Sequence, residues 1–142
     1  MNTFETHEKL IAEGCSARNF AINSSGSDVY CLCKKNGEWS IFYTERGIDH
    51  SPIFSSVSES EACKFFYDYI MKMEHWHIVG FYKCASLANA MESKLSNLGI
   101  RFVRNDIPAY QAQNDPRFRI FVVGKDIFRF KEEFGEPCIS YA

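Results

Sequence analysis

Two β-rich runs joined by Lys35-Asn36-Gly37 constrain this chain most. Residues 28–34 and 38–45 are rich in aromatic and β-branched side chains. Asn-Gly accepts positive φ at both central positions of a tight turn, so the pair predicts an antiparallel hairpin. Alternation places Val29, Cys31 and Cys33 on one side of the first run, and Tyr30 and Leu32 on the other. A short strand at 19–23 and a Ser-rich loop at 24–27 precede the hairpin. Thr44-Glu45-Arg46-Gly47 ends it, and residues 48–54 predict a third strand that Pro52 confines to an edge.

Helical periodicity fills the rest. Residues 4–13 put Phe4, His7, Leu10 and Ile11 on one stripe, stopped by Gly14. Ser58-Glu59-Ser60-Glu61 reads as a capping box, and the helix it opens shows Ala62, Phe65, Phe66, Tyr69, Ile70 and Met73 on a wide apolar face. A strand at 76–82 follows, then a helix at 84–98 aligning Leu87, Met91, Leu95 and Leu98, stopped by Gly99. Strands at 100–103 and 117–123 flank a polar loop, and a helix at 125–134 carries Ile127, Phe130 and Phe134 before Gly135. Trp39 and Trp76 are expected in the core.

The fold class is α+β: a mixed, mostly antiparallel sheet with helices packed on it, in the order α-β-β-β-α-β-α-β-β-α. The strand–helix–strand step allows one parallel pair with a right-handed crossover. The length of 142 residues fits one domain over 1–142, or two small layers, 1–74 and 75–142, sharing a core.

A formal charge of −2 supplies no basic field, so direct binding of nucleic acid is not expected. No Lys/Arg run suits a membrane surface, no apolar run reaches the ~18 residues that span a bilayer, and the acidic amphipathic start is no signal peptide. The expected compartment is the cytoplasm. There the six cysteines, at 15, 31, 33, 63, 84 and 138, are expected as free thiols without a structural disulfide. Aromatics reach 15%, enough ring area to fill a core and leave some rings for a partner.

No catalytic set assembles. Cys31-Leu32-Cys33 and His75-Trp76-His77 each place two donors on one side of a strand, but these are weak metal spacings, and the plainer reading is two buried thiols on the hairpin and a half-exposed histidine at a strand start. There is no GxSxG, no HExxH and no GxxxxGK[ST]; Gly124-Lys125-Asp126 reads as a plain turn with Asp126 capping the helix. No catalytic residue, metal or cofactor is assigned.

The segment at 101–124 is the stronger candidate for binding. Its loop holds Asp106, Tyr110 and Asp115, stiffened by Pro108 and Pro116. Tyr110 reads as an interface ring or as a side chain packed back on the sheet, and Asp115 as a contact or as the closure of its own turn. Glu132 and Glu133 fall late in the last helix, where negative charge opposes the helix dipole, and Glu136 follows just past its Gly135 stop. They form an acidic surface for a basic partner, or a solvated face.

Three stretches carry a family resemblance. NGEWSIFYTERG at 36–47, IFSSVSESEACKFFYDYI at 53–70 and RNDIPAY…DPRFRIFVVGKDIF at 104–128 resemble small bacterial immunity proteins of contact-dependent inhibition and related polymorphic-toxin systems. The resemblance covers most of the chain. It implies a non-enzyme that binds one cognate toxin C-terminal domain, often a nuclease, one to one in the producing cell's cytoplasm. It implies blockage of the toxin's active site or substrate groove, with no shared catalytic residues. Asp106, Tyr110 and Asp115 are the first expected contacts, and Glu132, Glu133 and Glu136 the second. The competing expectations are a small metal-dependent hydrolase using Cys and His, and a regulatory ligand-binding domain.

Overall fold

A computed structural model of the chain describes residues 1–141. The chain divides into two compact units, Met1–His75 and Trp76–Ala142. The class is α+β with mixed, mostly antiparallel strands and packed helices, and the strands lie in two sheets.

The first unit holds α1 (Thr3–Ala12), β1 (Phe20–Ile22), β2 (Val29–Lys35), β3 (Glu38–Glu45), β4 (Ile48–Asp49), β5 (Phe54–Ser56) and α2 (Glu59–Met71). The sheet order is β1-β2-β3-β4, with β5 also on β3. At the β2–β3 turn Asn36 and Gly37 take φ of 52° and 82°, and Lys35 pairs with Glu38, the two-residue geometry that Asn-Gly favours. The expected strand at 48–54 is split around Pro52, which has no N–H for the ladder. Both pieces stay on β3, where Thr44 faces Asp49 and Ile41 faces Phe54.

Both sides of the hairpin are buried. Leu32 and Ile41 pack with Leu10 of α1 and with Ala62, Cys63, Phe66 and Ile70 of α2. Val29, Cys31 and Phe42 form a second cluster on the other side, with Ala21 and Cys33 at its rim. Phe4 departs from its expected stripe and is 72% exposed. The stripe instead runs through Thr6 and Leu10, because Thr6 turns its hydroxyl onto the Asn2 carbonyl at 2.7 Å and buries as an apolar residue does. At the start of α2, Ser58 accepts from the Glu61 N–H at 3.2 Å. The return half of the box passes through a third residue: the Ser56 hydroxyl accepts from the Ser58 N–H at 3.0 Å and donates to the Glu61 carboxylate at 2.7 Å.

The second unit holds β6 (Trp76–Tyr82), α3 (Ala85–Asn97), β7 (Phe102–Ile107), β8 (Arg117–Val123) and α4 (Asp126–Phe134). The sheet order is β6-β8-β7 and both pairings are antiparallel. The β6 and β7 strands therefore run parallel with β8 inserted between them, so the crossover strands do not pair. The parallel pairing that does form is β1 with β2. Ala88 and Leu95 of α3 pack with Ile127 and Phe130 of α4 over Val79, Ile120 and Val122. Trp76 at 42%, Leu87 at 56% and Phe134 at 38% exposure lie outside that core, against expectation. α3 ends with Gly99 at φ 69°, whose N–H donates to the Ser96 carbonyl, while the Ile100 N–H donates to that of Leu95. The buried pair Leu95 and Ile100 completes this Schellman ending, and α1 ends with the same bond pattern. Among the described residues, no helix is long and apolar enough to cross a membrane.

Candidate partner-binding surface

The polar segment after Phe102 is more ordered than a loop. β7 continues to Ile107, so Asp106 sits on a strand opposite Phe118 rather than in irregular chain. A polar side chain suits a strand when a neighbour satisfies it. Here Arg104 donates to Asp106 at 3.0 Å, to Asn89 at 2.7 Å and to Glu92 of α3, and its guanidinium lies 5.4 Å from the Phe118 ring centroid. The carboxylates of Glu92 and Asp106 hold that guanidinium above its ordinary range. On the next residue Arg119 donates to Asn105.

The loop proper spans 108–116 and closes on itself. The Tyr110 N–H donates to the Asp115 carbonyl at 2.8 Å, and the Gln111 N–H to the Asp115 carboxylate at 3.1 Å. Asn114 takes φ of 60°, as Asn tolerates. Arg117, 4% exposed, donates to Asp115 at 2.5 Å and to the Pro116 carbonyl at 2.9 Å. Arg117, then the Gln111 N–H, holds the Asp115 carboxyl below the usual range. The half-buried Tyr110 ring meets Phe81 edge-on at 5.0 Å and carries the Arg117 guanidinium at 4.9 Å. Self-closure and packing back on the sheet thus describe Asp115 and Tyr110 in this structure.

The last helix differs. Glu132, Glu133 and Glu136 are all exposed. Glu136 reaches Lys131 at 3.5 Å, and among the described residues neither Glu132 nor Glu133 joins an ion pair. Ile127 and Phe130 are the buried residues of α4. The outer surface adds Phe128, 40% exposed and one turn before Glu132. Sequence reasoning passed over Phe128, although its signal was there: it falls off the stripe made by Ile127 and Phe130. Asp126 does not cap the helix. It is the first helical residue, and its carboxylate accepts from the Arg101 N–H at 2.7 Å, tying α4 to the start of β7.

Thiols and imidazoles are spread out. Cys31 is buried in the hairpin, and Cys33 donates to the Ser24 carbonyl at 3.5 Å. His75 is buried with both nitrogens engaged. Its Nδ1 accepts from the Ser16 N–H at 3.3 Å and the Asn19 amide at 3.0 Å, and its Nε2 faces the Ile70 carbonyl at 3.0 Å. Those partners assign the neutral tautomer with its proton on Nε2. Cys84 is exposed at the start of α3, 2.9 Å from the Ser86 hydroxyl. Among the described residues, no group of three or more His, Cys, Asp or Glu is placed to hold a metal ion. All six cysteines are free.

Compared with known proteins, the chain matches no family model, no curated protein and no solved structure.

Proposed function

We propose that the chain is an immunity-type binding protein that neutralises a bacterial toxin domain, a nuclease by preference, through one-to-one association in the cytoplasm of the producing cell. The observation that carries this reading is the outer surface of α4: exposed Glu132 and Glu133 without ion pairs among the described residues, beside an exposed Phe128. Carboxylates at a helix C-terminus oppose the dipole. Their placement does not serve the helix, and it suits a basic active-site groove that binds phosphates. The exposed phenylalanine supplies apolar area beside the charge, as interfaces do. Asp106, Tyr110 and Asp115 then act as a rigid frame, since the Asp106 and Asp115 carboxylates and the Tyr110 N–H already have partners within the unit.

The hydrolase reading finds less support, because both nitrogens of His75 are committed to the fold. The test of the immunity reading is co-expression with the C-terminal domain of a secreted protein encoded beside this chain, scored as rescued growth. The native chain is expected to rescue, and Glu132→Lys/Glu133→Lys to rescue far less at equal expression. Full rescue by the double variant would remove α4 from the interface.

A further inference from the structure

Within the Met1–His75 unit, α2 and β5 frame an open pocket of about 350 Å³, lined by Phe54, Glu61, Lys64, Phe65 and Asp68. The Phe54 and Phe65 rings stack with centroids 4.3 Å apart and planes 8° from parallel. The row of rings continues from Phe65 to Tyr69 at 6.1 Å, to Tyr30 at 5.0 Å and to Tyr43 at 4.9 Å. All five rings are half-buried, so the row is partly open to solvent. Glu61 and Asp68 lie two turns apart on the same side of α2, and both are exposed. Glu61 is engaged by Ser56; Asp68 joins no ion pair among the described residues. At the far end of the row, burial and the charges of Asp28 and Glu45 hold the Tyr43 phenol above its usual range. Carboxylates of Glu61 and Asp68 thus border the Phe54–Phe65 pair, and Lys64 is the one cation of the pocket lining.

Aromatic faces bordered by carboxylates complement a flat cation. A guanidinium stacks on a ring and keeps its donor fork free for carboxylates, while an ammonium offers no plane. We propose that this pocket receives an arginine side chain of a basic protein partner, its guanidinium lying against the Phe54–Phe65 rings and donating to Asp68 and Glu61. The inference rests on the partner-binding reading above and adds a second contact surface, on a different unit from α4.

The test uses the full chain and no toxin. Backbone amide shifts are followed by NMR during titration with acetyl-Gly-Arg-Gly-amide, its lysine counterpart and spermidine. The arginine peptide is expected to give saturable shifts confined to residues 54–68 and to bind more tightly than either other probe. Asp68→Asn alters an exposed carboxylate that joins no ion pair among the described residues, so the fold is expected to survive; the substitution is expected to weaken the arginine peptide about threefold. Phe54→Leu is expected to erase the preference for arginine over lysine. Equal binding of lysine peptide or spermidine, or an unchanged affinity in Asp68→Asn, overturns the proposal. If that happens while the α4 double variant still loses protection, this pocket fails and the immunity reading stands. Arginine binding that persists where no toxin is neutralised supports the pocket and removes only the toxin.

Discussion

Cys84 and Cys15 place the same thiol in opposite surroundings. The Ser86 hydroxyl, with the N–H groups of Ser86 and Leu87, holds the exposed Cys84 thiol below its ordinary value. More thiolate at neutral pH means faster alkylation. Iodoacetamide at pH 7 is therefore predicted to modify Cys84 faster in the native chain than in Ser86→Ala, read by mass spectrometry of the peptides. Cys15 is pushed up from 9.0 to about 11, by burial first and then by the charge of Glu13. The folded state favours its neutral form, so that contribution to stability is complete below the unfolded value and is lost as pH climbs from about 9 through about 11. Burial shifts Cys31 and Cys63 the same way. Urea midpoints are predicted to fall over that window, and to fall less in Cys15→Ala. Asp115 has the reverse sign. Arg117 depresses its carboxyl, so its contribution is present at neutral pH and lost as pH falls through the lowered value. Asp115→Asn should lower stability at neutral pH and converge with the native chain in acid.

Elements repeat the argument over longer stretches. Gly37 has φ of 82° with open space where a Cβ would sit, so Gly37→Ala isolates backbone strain. The expected loss is about 1 kcal/mol by denaturant unfolding. Ser58→Ala removes the α2 cap and should also cost about 1 kcal/mol. In α4, Glu132→Lys/Glu133→Lys places positive charge near a helix C-terminus, and stability should rise by about 0.5 kcal/mol. A fall would show that the two carboxylates support the fold. The hairpin, α2 and the Gly99 helix ending were legible because turn chemistry and periodicity over neighbouring residues decide them. β7 was cut short in the sequence reading because Asn105 and Asp106 look like loop residues. Their strand depends on Arg104 and Arg119, and Arg119 lies on β8, which no local window contains. Tyr110 and Asp115 were found as special residues, yet their buried partner Arg117 was not, since a buried arginine beside an aspartate has no sequence signature.

At the scale of the whole chain, the α+β class was legible and the division into two sheets was not. Which strands pair is a matter of long-range contact: β8 enters between β6 and β7, and β5 returns to β3 beside β4. Periodicity fixes elements and leaves pairing open. The acidic end of α4 was visible in the sequence as a local cost without local benefit, and such a cost is what a partner-facing surface carries. The property proposed for the chain is stoichiometric association without chemistry. It is tested most directly by titrating purified chain into a fixed amount of the neighbouring toxin domain and following the toxin's residual activity. Residual activity should fall linearly and reach its floor at one equivalent. Complete inactivation by a small fraction of an equivalent, growing with time, would mean that the chain turns over and would contradict the account.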